Sequence, residues 1–246
     1  MKAILVIAIN FVREQRWPVL VMLLWVLLLA FLGLTTEAAR SKRPTPIKEQ
    51  GEDLLFVFKQ VAVYVVAFSV FFGSSAIFND RRSRRILSVL SKAIGRQDYL
   101  SGLVLGITLA SAIYCIALGV TGSWTLGEVG FPVRQVWFLM VCLLAACMLA
   151  GTVALMFSTF LNPFFAAGAT AATMGLPFLL SHTSGNAMWT LVIPVNALAA
   201  AVLKSSFEAP ATGSWMAIFL ALAETVVFWF LAAKIFSYMD IAVSVE

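Results

Sequence analysis

Charge is what this sequence has least of. Only 12% of its 246 residues are Asp, Glu, Lys or Arg, while 61% are Ala, Val, Ile, Leu, Met, Phe, Trp, Tyr or Cys. A soluble domain carries about 25% charged and roughly 45–50% apolar residues. A water-soluble fold of this size has nowhere to hide such an apolar excess. That excludes a soluble enzyme, a secreted module and a disordered chain. Histidine is nearly missing too: His182 is alone, so haem pairs and HExxH zinc chemistry lack their ligands. The three cysteines, Cys115, Cys142 and Cys147, form no CxxC and lie in apolar runs. They read as small core residues, not as a redox or zinc site. No GxxxxGK[ST] is present, so the chain has no phosphate cradle of that kind. Internal repeats, low-complexity tracts and a second domain are also lacking, leaving a single membrane domain over residues 1–246.

What is there is a series of long apolar runs. At about 20 residues per crossing, six spans are expected: Trp17–Leu34, Val61–Phe78, Leu100–Thr121, Val136–Leu161, Phe164–Leu180 and Trp215–Phe236. The fold class is all-α, a polytopic membrane protein. The run from Trp17 exceeds a signal-peptide core of about 7–15 residues, so a retained first span is expected. Before it, residues 1–16 gather Asn10, Arg13, Glu14 and Arg16 on one side and Ile4, Ala8, Phe11 and Val12 on the other. That pattern predicts an interfacial helix; the alternative is an extension of the first span. Trp17-Pro18 then supplies an interface aromatic and a turn into the bilayer.

The net charge is +5. In a membrane protein this reflects basic loops kept on the cytoplasmic side, not nucleic-acid binding. Segment 79–99 holds Arg81, Arg82, Arg84, Arg85, Lys92 and Arg96 against Asp80 and Asp98. Its density predicts that it is cytoplasmic. Segment 122–135 suits the outside, Asn162-Pro163 is a tight inner turn, and both termini fall inside. Segment 35–53 dissents, with Arg40, Lys42, Arg43 and Lys48 offset by four acidic residues; the stronger cluster decides. The expected location is a bacterial inner membrane. Within 181–214, Pro194 and Asn196 interrupt the apolar run Ala187–Leu203. A re-entrant pair of short helices is expected there in preference to a seventh span, because broken backbone at membrane depth needs protein cover.

The segment Asp80–Arg96 reads DRRSRRILSVLSKAIGR. From Ile86 its apolar residues fall at offsets 0, 1, 3, 4, 7 and 8, one face of a helix. Gly95 can end that helix. The apolar face has two destinations: the membrane surface or a groove on a partner.

Here the chain resembles the permeases of type-2 ABC exporters. Their second span is followed by an acidic residue, basic residues and a leucine-rich turn. A Leu-Ser-(Lys/Arg)-Pro-(Ile/Val)-(Ser/Thr)-Arg motif follows, then an aromatic and a Gly-Lys pair. Asp80 stands at the acidic position. Leu90-Ser91-Lys92-Ala93-Ile94-Gly95-Arg96 follows at matching spacing, then Tyr99 and Gly102. Ala93 replaces the proline, Gly95 the hydroxyl residue and Leu103 the lysine. The opening IAINFVREQR, with Arg13-Glu14, is similar to that family's first helix. The six-span layout and the broken outer segment also match.

The resemblance implies that 80–95 is a cytoplasmic coupling helix seated in a separate ATPase subunit. Leu87, Leu90 and Ile94 would anchor it, and Arg81, Arg82, Arg84, Arg85, Lys92 and Arg96 would steer it. ATP and magnesium would then belong to the partner ATPase, with no cofactor in this chain. A second permease copy or a homologue would complete the assembly. This chain itself would not be an enzyme. Leu100-Ser101-Gly102 looks like an ABC signature only superficially, since it opens an apolar span.

Other residues carry weaker signals. Glu224 lies mid-span, where an ionisable group is a functional candidate or a glutamate bonded between helices. Lys59 is expected to snorkel, and Lys234 to mark the inner interface. Ala167, Ala171 and Gly175 form a small-xxx-small face, as do Gly168 and Ala172. That face suits a dimer or translocation surface, or ordinary packing. His182 beside Ser181 and Ser184 lacks the separately placed base a protease needs. The expected function is thus the transmembrane subunit of an ABC exporter. The rivals are an ion-coupled transporter using Glu224 and a non-transport scaffold.

Overall fold

The computed structural model describes residues 2–40, 47–82, 95–184, 192–206 and 215–238. Among the described residues the chain forms eight helices: α1 (Lys2–Glu14), α2 (Arg16–Arg40), α3 (Ile47–Arg82), α4 (Arg96–Glu128), α5 (Val133–Ser158), α6 (Pro163–Ser184), α7 (Val195–Leu203) and α8 (Trp215–Tyr238). Four of them contain stretches long and apolar enough to cross a bilayer: Gly51–Asp80, Arg96–Glu128, Val133–Ser158 and Trp215–Tyr238. The chain is a helical membrane protein.

Of the six expected spans, four are matched among the described residues by helices long and apolar enough to cross. α2 and α6 are helical across the other two expected spans. The described apolar stretch of α2, Arg16–Leu28, is shorter than a crossing. Where a re-entrant pair was expected, the described residues hold one short helix, α7. α7 begins at Pro194, which caps its N-terminus, because proline lacks the N–H that a continuing helix requires. Residues 185–191, where the other half was expected, lie outside the described residues.

Several helices outrun the apolar runs that announce them. α3 starts at Ile47 and has 36 residues, about 54 Å at 1.5 Å each. Its first turns hold Lys48, Glu49 and Glu52, which form helix readily although they avoid lipid. Much of the 35–53 segment is thus helical instead of a loop. α4 likewise continues past Thr121 to Glu128. The chain then turns through Gly130, whose φ of 86° suits glycine, and Pro132 caps α5.

α5 is the central post. In its most apolar stretch 78% of residues are buried, against 33% for α8. α3 crosses α5 at Gly73 and Gly151. A Cβ on Gly73 would collide with the Gly151 carbonyl, and one on Gly151 would sit 2.6 Å from Ile107 and 2.7 Å from the Ser69 hydroxyl. Ser69 Oγ donates to the Cys147 carbonyl at 2.6 Å across the same crossing. Without a hydrophobic drive between helices in lipid, such close approach supplies the attraction. Trp25 stacks on Tyr64 to join α2 to α3, and Phe138 meets Trp215 edge-on to join α5 to α8. The three cysteines are buried and unbridged.

Candidate functional site

The basic connection between α3 and α4 is the segment singled out by its sequence. Arg84, Arg85, Leu87, Leu90, Lys92 and Ile94 lie outside the described residues. Arg81 and Arg82 close α3, and their side chains lie outside them as well. Asp80 and Arg96 stand at the two ends of the connection.

Asp80 is 7% exposed and Tyr99 is 1% exposed. The Tyr99 hydroxyl donates to Asp80 Oδ2 at 2.5 Å, joining the end of α3 to the first turn of α4. A buried carboxylate needs such a donor, because desolvating it without one costs several kcal/mol, roughly. The Tyr99 ring stacks on Phe236 of α8, with centroids 6.0 Å apart and planes 24° from parallel. The Arg96 guanidinium lies 5.9 Å from the centre of the same Phe236 ring. Its Nη1 donates to the Phe236 and Ser237 carbonyls, both at 3.0 Å. These belong to the last described turn of α8. Arg96 therefore ties α4 to α8.

α1 closes the same corner. It packs on α4 at Gly102 and Gly106, where added Cβ atoms would lie 2.7 Å from Ile7 and 2.8 Å from Phe11. Phe11 also meets Phe72 of α3 edge-on, at 6.3 Å. The expected apolar side of this helix, with Ala8 and Phe11 buried, thus lies against protein. Leu5, Val6 and Ile9 are the residues left outward. A cavity of about 40 Å³ is lined by Asn10 and Glu14 of α1 together with Asp80 and Tyr99. Arg13, Glu14 and Arg16 are exposed. Of the residues expected at the coupling segment, then, Asp80 and Arg96 are brought into one cluster, and Glu14 lines a cavity shared with Asp80.

Phe236 is the residue that sequence reasoning missed. The available signal was an aromatic closing the last apolar run. Gly95, expected to end a helix, is extended and caps the start of α4. Glu224 sits midway along α8, with Oε2 buried and without a hydrogen-bond partner. Lys234 and His182 are exposed, and Lys59 is half-buried. Among the described residues no group of three His, Cys, Asp or Glu side chains could hold a metal.

No protein-family model matches this chain, and no curated protein matches it.

Proposed function

We propose that this chain is the transmembrane subunit of a type-2 ABC exporter. Its basic connection docks on separate ATPase subunits, which bind ATP and magnesium. Two copies, or one copy and a homologue, enclose the path. On this reading α2 and α6 complete six spans, α7 belongs to a re-entrant outer segment, and both termini and the connection are cytoplasmic in a bacterial inner membrane.

The observation that supports the reading best is the tie at the base of the bundle. Both ends of the basic connection are held, one by Tyr99 on Asp80 and the other by Arg96 on α8. A segment pushed by a partner transmits force only when its ends are held against the spans. Here the ends are held to α3, α4 and α8, with α1 packed alongside.

Affinity capture of the full chain from native membranes should bring down an ATPase. Consistent recovery of none, from otherwise intact complexes, would sink the proposal. Leu87→Asp combined with Leu90→Asp should abolish that association while membrane insertion persists. If the ATPase still binds, the anchoring residues are wrongly assigned.

One observation favours a second reading, ion-coupled transport: the unpartnered carboxylate oxygen of Glu224 inside the membrane. That reading requires gradient-driven flux in proteoliposomes without any ATPase, lost in Glu224→Gln. The exporter reading requires no such flux.

A further inference from the structure

Between α3, α5, α6 and α7 lies a cleft of about 410 Å³. Its walls are aliphatic and mostly small: Ala62 and Val66 of α3, Ala146 of α5, Ala171 and Gly175 of α6, and Ala199 of α7. These positions fall in the middle turns of α3, α5 and α6, so the cleft sits at hydrocarbon depth. Its rim includes Val63 and Leu203, which are 45% and 44% exposed. It therefore opens sideways, toward lipid.

Among the described residues nothing fills this space. A Cβ built on Gly175 meets nothing within 4 Å. Among the described residues one polar side chain reaches the cleft, that of Asn196. Asn196 Nδ2 donates to the Met174 carbonyl at 2.5 Å, which pins α7 to α6. That bond uses one of the two N–H donors of the amide. An apolar hollow of this kind forfeits dispersion contacts if unfilled, and apolar cavities take apolar ligands in preference to water. The volume lies within the range of small-molecule sites, about 300–1,000 Å³.

We propose that this cleft binds one hydrocarbon chain of a membrane amphiphile, entering sideways from the bilayer. The site stands on the cleft alone. That its occupant is also the exported cargo rests on the exporter reading above.

The test uses the full chain, without any ATPase, in phosphatidylcholine nanodiscs. A small fraction of the lipid carries a photoactivatable diazirine on its palmitoyl chain, and adducts are mapped by peptide mass spectrometry. Adducts on 163–184 and 195–203 should exceed those on the outward face of α2 (Leu20, Leu24 and Leu27) several-fold. Gly175→Trp should lower the cleft adducts at least fivefold and leave α2 adducts unchanged. If Gly175→Trp does not yield a monodisperse protein, Ala199→Phe fills the same space from α7. Cleft labelling no greater than that of α2, or indifferent to both fillings, would overturn the proposal. Failure to capture an ATPase from membranes would leave this labelling intact and overturn only the exporter reading.

Discussion

The glycines of α3 and α5 and those of α6 all sit in apolar stretches of helix, yet they do opposite things. At Gly73 and Gly151 the two backbones touch, and neither position has room for a methyl group. At Gly168 and Gly175 a methyl group would meet nothing. The first pair closes a joint; the second leaves a wall low. A small residue in a membrane helix therefore has no fixed meaning. It marks a close approach only where another backbone arrives, and otherwise marks space that something else must occupy. The molecule divides along that line. α1, α3, α4 and α5 form a closed half, anchored at its base by Asp80, Tyr99 and Arg96 with Phe236 of α8. α6 and α7 form an open half around the cleft.

The largest expected effect is a break in the closed half. Gly73→Ala forces the α3–α5 crossing apart, because the atom in the way is backbone and cannot rotate aside. Overpacking of this kind costs about 3 kcal/mol, seen as a lower melting temperature in detergent and a smaller monodisperse fraction. An unchanged melting temperature would mean that the crossing is looser than described. Next is the base. Tyr99→Phe keeps the stack on Phe236 and removes the donor to buried Asp80. Hydrogen bonds to charged groups contribute about 1.5–3 kcal/mol. The variant should therefore destabilise by roughly 2 kcal/mol, and Tyr99→Phe with Asp80→Asn should cost less than the two single changes added together. Full additivity would show that the two residues act independently.

A smaller effect is expected at the hydrogen bond across the same crossing. Ser69→Ala removes the donor to the Cys147 carbonyl at 2.6 Å. Interhelical hydrogen bonds in membranes average about 0.6 kcal/mol, so a loss of that size should appear in the same melting assay. A loss as large as that of Gly73→Ala would move the weight of the joint from close packing to hydrogen bonding.

These contrasts mark what was legible in the sequence. The apolar runs led to α5 and α8 within a few residues, since hydropathy reads contact with lipid directly. The same runs understated α3 and α4, whose polar ends are helical for reasons of propensity, beyond the reach of any bilayer argument. Proline at 194 announced the start of α7, because its effect is local. The tie of Arg96 to the Phe236 carbonyl was not legible. It joins residues 140 positions apart, and no local pattern encodes which helix a guanidinium will reach. Gly102 and Gly106 carry the same four-residue spacing as Ala171 and Gly175. α1 fills the former and nothing described fills the latter. Spacing reports that an approach is allowed, and the tertiary fold decides whether it happens.

The smallest expected effect is the sharpest test of the division. Gly175→Ala adds the same methyl group as Gly73→Ala, in a helix of similar character, at a position where it meets no atom within 4 Å. Alanine is favoured over glycine in a helix interior by up to about 1 kcal/mol. The variant should therefore leave the melting temperature unchanged or raise it slightly. The sign carries the information. A loss approaching that of Gly73→Ala would mean that the α6 face is packed in the folded protein and that the open half is closed. A neutral or positive shift, beside a large loss at Gly73, would establish that two sequence-equivalent glycines differ only in what the fold brings to them.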